Sequence, residues 1–439
     1  MKDFKNNIYI KIGIIITLTL LLLLPAAMIK GLIREREGTQ REAIYEVSSK
    51  WGNEQTLIGP VLTIPFYRHE KEYSKKDETY KVTKIKDYIH ILPDELDIES
   101  QLEPEKRYRG IYEVVVYNSQ MNFKGIFDPT QIKEFDIPES DILFDKAFIS
   151  VGIDDLSGIE NQISIICNGE SYSFNSGTVT NDIFRSGINA KLAIKIDENS
   201  NFDFNFNLNL KGSQKLYFAP VGKITNINMT SNWSNPSFNG AYLPDSRKVD
   251  ENGFSAHWNI LHLNRNYPQA WIGSNQEIES SGFGVDLILP VDSYQKSMRT
   301  VKYALLIIAL TFIVFFFVEI IKGCYIHPIQ YSLVGLALII FYSLLLSISE
   351  HINFNFAYII SASATLLMIS AYIHAILKSI KISALIGGVL FVLYGFIFVI
   401  IQLQSYSLLI GSVGLFAILG TLMYFSRKID WYNVKKEKE

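Results

Sequence analysis

The chain has 439 residues, of which 48% are hydrophobic and 19% charged, against about 25% charged in an average protein. Of its 41 basic and 44 acidic side chains, only five lie between Tyr303 and Ser426. This segregation excludes a water-soluble globular protein and predicts a polytopic membrane protein with one large water-exposed portion. The stretch from Lys30 to Lys302 has 30 basic and 38 acidic residues, which argues against nucleic-acid binding.

The first predicted element is a membrane span at Ile12–Ile29, within a hydrophobic segment that we assign to residues 12–33. Lysines precede it in residues 1–11, as in a secretory signal, but no small-x-small cleavage signature follows. We therefore expect an uncleaved anchor. From Arg34 to Trp51 the apolar residues keep spacings of three and four, which predicts that the helix extends beyond the span.

After Gly59-Pro60 the hydrophobic period changes to two, which is typical of strands. The clearest strand is Asn201–Leu210, where Phe and Leu alternate with Asp and Asn. Further strands are predicted around Val114–Val116, Ile163–Ile166 and Val285–Leu289. Hairpin turns are expected at the pairs Asn168-Gly169, Asn239-Gly240 and Asn252-Gly253. Residues 34–302 are thus predicted to form a β-rich, sandwich-like domain.

The C-terminal part predicts five more spans, in residues 303–425, followed by a basic tail in residues 426–439. The fold class is therefore an α+β membrane protein with six transmembrane helices, one N-terminal and five C-terminal. The predicted spans are Tyr303–Ile321, Pro328–Ser349, Phe356–Leu377, Ser383–Ile401 and Ser407–Phe425.

Along the chain, loops that contain Lys or Arg alternate with loops that contain neither. The loops around Lys322 and Lys378–Lys381 and the tail are basic, whereas Glu350–Asn355 and Gln402–Tyr406 have no Lys or Arg. The positive-inside rule then predicts that both termini are cytoplasmic and that the large β domain is periplasmic.

A series of short motifs runs along the whole chain. The motifs are Trp51-Gly52, Gly59-Pro60-Val61-Leu62, Arg109-Gly110-Ile111-Tyr112, Trp233 to Gly240, Leu243-Pro244, Gly253-Phe254-Ser255-Ala256, Phe283-Gly284-Val285, Pro290-Val291-Asp292, His327-Pro328 and Ser349-Glu350-His351. Together they resemble the CreD family of bacterial inner-membrane proteins, also called cell envelope integrity proteins. The resemblance implies an inner-membrane protein produced under a two-component envelope or nutrient stress system, and it implies no reaction.

Two ionisable groups near the ends of spans are candidates for chemistry. Glu319 is either an intramembrane ion site or a boundary residue beside Lys322, and we favour the boundary residue. Glu350 and His351 could bind a metal or relay a proton as a pair. Alternatively they form a structural tie between helix ends, and we favour this second interpretation. Because these groups share no mid-membrane depth, a proton-coupled transporter is disfavoured.

The aromatic residues Trp233, Phe238 and Trp258 lie in a region rich in Pro and Gly. They are candidates for a recognition surface, but aromatic packing between two sheets would give the same pattern, and we favour packing. Cys167 is expected to be a buried, inert thiol. With only two cysteines and no nucleophile elbow, we expect no metal, no cofactor and no catalytic residues.

Three functional hypotheses remain. The favoured one is a non-enzymatic protein that supports envelope integrity or stress response through its external β domain. The alternatives are a transport or channel component and a membrane-bound enzyme acting on envelope polymers. The expected partners are the lipid bilayer and an envelope protein or polymer at the external face. The oligomeric state is left open.

Overall fold

The structure is a computed structural model that describes residues 8–74, 79–192, 201–274, 276–289, 293–322, 325–403 and 406–427. The chain divides into two compact units. One consists of Met1–Gln40 and Val291–Glu439, and the other is Arg41–Pro290. We call them the membrane unit and the β domain. Cys324 and most of the basic tail lie outside the described residues.

The described residues include six helices that are long and apolar enough to cross a membrane, one before the β domain and five after it. The predicted arrangement of spans is therefore confirmed. The short polar helix α2 was not predicted. The helices are α1 (Ile8–Trp51), α2 (Ser293–Lys302), α3 (Ala304–Lys322), α4 (Pro328–Ser349), α5 (Phe354–Leu377), α6 (Ile380–Gln402) and α7 (Ser407–Ser426).

Local signals explain where these helices begin and end. His327 caps α4, because its ring accepts a hydrogen bond from the Ile329 amide while Gln330 accepts one from the His327 amide. Asn353 caps α5 through the Asn355 amide. Helix α1 continues without a break to Trp51, which confirms the predicted extension beyond the first span.

The membrane unit is packed unevenly. Small residues of α5 (Ala357, Ser361 and Thr365) are buried, as is typical of close helix packing. In α7, Gly414 lies against the Phe396 ring, whereas Gly411 faces open space. The apolar stretch Ser407–Tyr424 has no buried residue within the unit.

The β domain consists of two mixed sheets. The strands are β1 (Gln55–Ser74), β2 (Thr79–Ile91), β3 (Glu95–Arg109), β4 (Tyr112–Phe127), β5 (Phe148–Ile153), β6 (Ser164–Cys167), β7 (Glu170–Ser173), β8 (Asn175–Ser176), β9 (Gly187–Lys191), β10 (Phe202–Ser213), β11 (Lys215–Phe218), β12 (Ile224–Ser231), β13 (Pro236–Gly240), β14 (Ser246–Asp250), β15 (Gly253–Leu261), β16 (Ala270–Ile272) and β17 (Phe283–Leu287). The first sheet has nine strands, seven of them in the order β13-β17-β11-β1-β5-β9-β8, while β2 pairs with β1 and β16 pairs with β2. The second sheet has the order β14-β15-β12-β3-β4-β10-β6-β7.

The core of the domain lies between these sheets. Strand β10 buries alternate residues, as predicted from its period of two, and its Phe206 ring stacks on Phe123 of β4. The sheets meet through aromatic rings: Phe238 of the first sheet lies 5.8 Å from Trp258 of the second. Contacts of this kind give the domain a sandwich architecture, which confirms the predicted fold class.

Two turn signals had different outcomes. Asn168-Gly169 forms the predicted hairpin between β6 and β7, with both residues at positive φ. The prediction at Asn239-Gly240 is wrong, because both residues lie inside β13 and pair with β17. Glycine is required there for another reason: a side chain at Gly240 would collide with the carbonyl of Gly282.

Candidate functional site

A cleft of about 430 Å³ lies in the β domain beside the last turns of α1. Three segments form it: α1 itself, the link from α1 to β1, and the junction between β10 and β11. We call it the junction pocket. Its lining residues are Arg41, Ile44, Tyr45, Ser48, Asn53, Glu54, Ser213 and Gln214.

Trp51 fixes the end of α1 against the sheets. Its indole nitrogen donates to the Tyr117 carbonyl over 3.2 Å. Arg107 and Lys211 each lie 4.7 Å from the centre of its ring system. These cations make cation–π contacts and also lie where a helix C-terminus favours positive charge.

The link after α1 is held by Asp155. One carboxylate oxygen of Asp155 accepts from the backbone amide and the side-chain amide of Asn53, over 2.9 and 2.7 Å. Burial acts to raise the pKa of Asp155, but the hydrogen bonds from Asn53 and Ser157 outweigh it and hold the pKa below its usual value. Asn53, which lines the junction pocket, is therefore held by an ionised carboxylate.

The third segment is the point where the chain passes from one sheet to the other. Ser213 ends β10 in the second sheet, and Lys215 begins β11 in the first. Between them Gln214 adopts a left-handed conformation, with φ of 60°. Its amide donates to Val115 and its carbonyl accepts from Leu287, so this backbone turn is fixed on both sides.

Two hydroxyl groups that line the pocket are buried without a partner among the described residues. They belong to Ser48, which is 4% exposed, and Ser213, which is fully buried. Other hydroxyls of α1 behave differently: Thr17 and Thr39 donate to the carbonyl four residues earlier. Both hydroxyl oxygens are shielded from solvent, so they lie behind the surface that the pocket exposes.

Sequence analysis did not identify this pocket. Ser48 and Ser213 lie far apart in the chain, and nothing in the pattern around either residue distinguishes it from an ordinary surface serine. Only the long-range approach of α1 to the β10–β11 junction brings them together.

The three aromatic candidates do not form a recognition surface. Trp258 is fully buried, and Phe238 is 8% exposed with its ring against Phe254. Trp233 is half-buried, packs against the same core and donates from its indole to the Asn235 carbonyl. Packing of the two sheets accounts for all three positions.

Glu350 and His351 do not act as a pair. The Glu350 carboxylate accepts a hydrogen bond of 3.0 Å from the Tyr294 hydroxyl and lies 3.7 Å from the Arg36 guanidinium. His351 is exposed. Glu350 therefore ties α4 to α1 and α2 within the membrane unit. No group of three metal-ligating side chains is found among the described residues.

The Glu319 side chain is buried within the membrane unit, and its position at the membrane boundary stays a prediction. The side chain is 8% exposed and forms an ion pair with Lys11 of α1. Its carboxylate also accepts from the Tyr331 hydroxyl over 3.2 Å and from the Ile326 amide over 3.3 Å. The Lys11 ammonium lies 4.4 Å from the centre of the Tyr325 ring.

Sequence analysis also missed a row of three hydrogen-bonded polar residues, because they come from three separate segments. His90 is fully buried and contacts Thr63 over 3.0 Å through one ring nitrogen and Asp182 over 3.2 Å through the other. The hydrogen bond from His90 lowers the pKa of Asp182. The order hydroxyl, imidazole, carboxylate is that of a hydrolase triad, but Thr63 is 1% exposed and out of reach of a substrate.

Cys167 is free and buried in β6, and burial raises the pKa of its thiol to about 12. A thiol with so high a pKa is a poor nucleophile. The expectation of an inert cysteine is confirmed.

Comparison with known proteins identifies a family model and a relative that match nearly the whole chain. The family model described as "Inner membrane protein CreD" matches residues 7–432. Inner membrane protein CreD of Escherichia coli strain K12 is 32% identical over 431 residues, which cover 98% of this chain and 94% of that protein. Two structures of an M1 zinc metallopeptidase from Deinococcus radiodurans align over 38% of this chain and 38% of theirs, with 8% identity and a TM-score of 0.19. At that TM-score the alignment carries no argument.

Proposed function

Because the chain belongs to the CreD family of inner membrane proteins, we propose that it supports the integrity of the cell envelope through its β domain, without catalysing a reaction. The observation that carries this proposal is the domain itself. Arg41–Pro290 is a compact unit whose two sheets enclose a core of their own. A domain of this size is far more than an anchor needs, and its natural role is to contact another envelope component.

The orientation that this function requires follows from the alternating basic loops. With Lys378, Lys381 and the tail in the cytoplasm, the β domain lies in the periplasm, where it reaches envelope proteins and polymers. The bilayer is then a partner of the membrane unit, and the envelope component a partner of the β domain.

The charged groups of the membrane unit support a packed helical platform for the β domain rather than a transport pathway. Glu319 pairs with Lys11, and Glu350 lies between Arg36 and Tyr294. Both carboxylates therefore link α1 to the C-terminal helices. Transporters, by contrast, place accessible charges near the midplane.

One observation favours transport as a second candidate. Glu319 is a buried carboxylate with a lysine and a tyrosine beside it, which are the residue types of proton relays. The two candidates differ in what they require. Transport requires Glu319 to be ionisable, whereas a platform requires only that the helices stay packed.

A complementation experiment in cells lacking the chain tests the proposal. We expect that deleting Gly59–Leu289 while keeping the six spans abolishes resistance to detergent and other envelope stress, although the shortened protein still inserts in the membrane. Immunoblots of membrane fractions control for its amount. Full resistance from the spans alone would show that the membrane unit is the working part and would revive transport.

A further inference from the structure

A second cleft, of about 430 Å³, lies within the membrane unit between α1, α3 and the last turns of α7. We call it the apolar cleft. Helix α1 lines it with Ile12, Ile15 and Ile16, and α3 lines it with a face that includes Ile313 and Phe317. Spacings of three and four place such residues on one side of a helix. Of the nine lining residues, eight are apolar and the ninth is a serine, so the cleft offers a ligand almost no hydrogen bonds.

Helix α7 reaches the apolar cleft without closing it. Its last turns contribute Leu422, Met423 and Ser426 to the lining. Met423 is nevertheless 67% exposed, and no residue of Ser407–Tyr424 is buried within the unit. Helices that pack directly on one another interdigitate their side chains and bury them. On this side, therefore, α7 leaves a space between itself and the other two helices.

The medium around these helices indicates what fills the space. Apart from Ser426, the lining residues belong to stretches that are long and apolar enough to cross a membrane. Water does not occupy an apolar space of this kind, because it finds no hydrogen-bonding partners there. An empty space would forfeit the dispersion contacts of its lining. An acyl chain of the surrounding bilayer restores those contacts.

The charge at the end of the apolar cleft indicates the headgroup. Arg427 follows Ser426, is exposed and forms no ion pair with a described carboxylate; its guanidinium lies 5.4 Å from the centre of the Tyr424 ring. Glu319, two residues beyond the lining of α3, is already paired with Lys11. The unbalanced charge at this end is therefore positive, which suits the phosphate of an anionic lipid.

We propose that the apolar cleft holds an acyl chain of one anionic phospholipid, whose phosphate group lies at the Arg427 guanidinium. The lipid then supplies the packing partner between α7 and the helices α1 and α3. This site belongs to the membrane unit and does not depend on the function proposed for the β domain, so the two have separate tests.

The test is photolabelling of the full chain in phosphatidylcholine nanodiscs that contain a trace of a probe lipid. The probe has a diazirine in the upper part of one acyl chain and is either phosphatidylglycerol or phosphatidylcholine. We expect the phosphatidylglycerol probe to label the lining segments of α1, α3 and α7 about fivefold more than the phosphatidylcholine probe. Peptide mass spectrometry locates and quantifies the adducts.

Two variants fill the apolar cleft from different helices. Ile313→Trp adds a ring from α3 and Leu422→Trp adds one from α7, so each should lower labelling of the remaining lining segments about tenfold. Leu305→Trp is the matched control, because Leu305 lies on α3, is 48% exposed and does not line the cleft. It should leave the labelling unchanged. Thermal unfolding shows that each variant is folded, and the loosely packed α7 should tolerate Leu422→Trp even if Ile313→Trp disturbs α3.

A third variant tests the headgroup. Arg427→Gln should abolish most of the preference for phosphatidylglycerol while leaving labelling by the phosphatidylcholine probe unchanged. Lys302→Gln is its control, because Lys302 is an exposed cation that ends α2, just before the opposite end of α3. It should keep the preference of the wild type.

Four results would overturn the proposal. Labelling spread evenly over all six spans would mean ordinary contact with the bilayer, and equal labelling by both probes would exclude an anionic headgroup site. Wild-type labelling of folded Ile313→Trp and Leu422→Trp would place the lipid elsewhere. Efficient disulfide formation between two copies of Met423→Cys, in a background of Cys167→Ala and Cys324→Ser, would show that a second copy occupies the cleft.

Discussion

At the scale of single residues, the most consequential contact is the ion pair between Glu319 and Lys11. Their side chains are only 10% and 17% exposed, and both Glu319 oxygens are engaged. Removing one partner leaves a buried charge uncompensated, which is more harmful than removing both. This asymmetry gives a test that separates packing from transport.

We expect Glu319→Gln and Lys11→Met each to reduce the stability of the chain by about 3 kcal/mol, while the double variant recovers most of the loss. Thermal unfolding of the full chain in nanodiscs measures all three. Single variants as stable as the wild type would contradict the pairing. If the double variant is stable but inactive in the envelope assay, Glu319 has a role beyond packing.

Asp182 gives a pH-dependent prediction. Its hydrogen bond to His90 lowers its pKa in the folded protein, whereas the unfolded value is about 3.9. A depressed pKa contributes stability that is present above the unfolded value and is lost as pH falls through the folded value. The difference in unfolding free energy between wild type and Asp182→Asn should therefore be constant near neutral pH and shrink below about pH 4. Urea titrations from pH 3 to 7 measure it. A difference that persists at pH 3 would contradict the assignment.

At the scale of elements, local sequence patterns predicted individual strands and spans, whereas the pairing of strands distant in the chain could not be predicted from the sequence. The alternation in β10 and the length of each apolar run determine a strand or a span without reference to the rest of the chain. By contrast, the parallel pairings of β1 with β11 and of β3 with β12 join distant segments. The junction pocket depends on the same long-range approach, which is why its serines could not be predicted.

Gly240 shows the limit of a local signal, because Asn-Gly is typical of a hairpin turn and here belongs to a strand. We expect Gly240→Ala to destabilise the β domain by about 2–4 kcal/mol, since it adds a collision with Gly282 to the strain of a positive φ. Gly110→Ala is the control. Its φ is also positive, but its surroundings are open, so the expected loss is about 1–2 kcal/mol. Urea unfolding followed by tryptophan fluorescence distinguishes the two, and equal losses would contradict the role of the collision.

At the scale of the whole molecule, the central question is which side of the membrane holds the β domain. The positive-inside rule predicts a cytoplasmic C-terminus from the basic loops at Lys378 and Lys381 and the basic tail, and with six spans it predicts a cytoplasmic N-terminus as well. Because the β domain comes between the first and second spans, the same rule predicts that it is periplasmic. Native Cys167 cannot report this, because its thiol is buried.

A cysteine at an exposed turn can report it. Asn252 lies in the tight turn between β14 and β15 and is exposed. In a background of Cys167→Ala and Cys324→Ser, we expect a membrane-impermeant maleimide to label Asn252→Cys in intact cells whose outer membrane has been made permeable. A fluorescent protein fused to the C-terminus should fold and fluoresce, as it does in the cytoplasm. Labelling of Asn252→Cys only after the inner membrane is lysed would show that the orientation is the opposite of the predicted one. The β domain would then face the cytoplasm, out of reach of any envelope polymer, and the proposed function would be wrong.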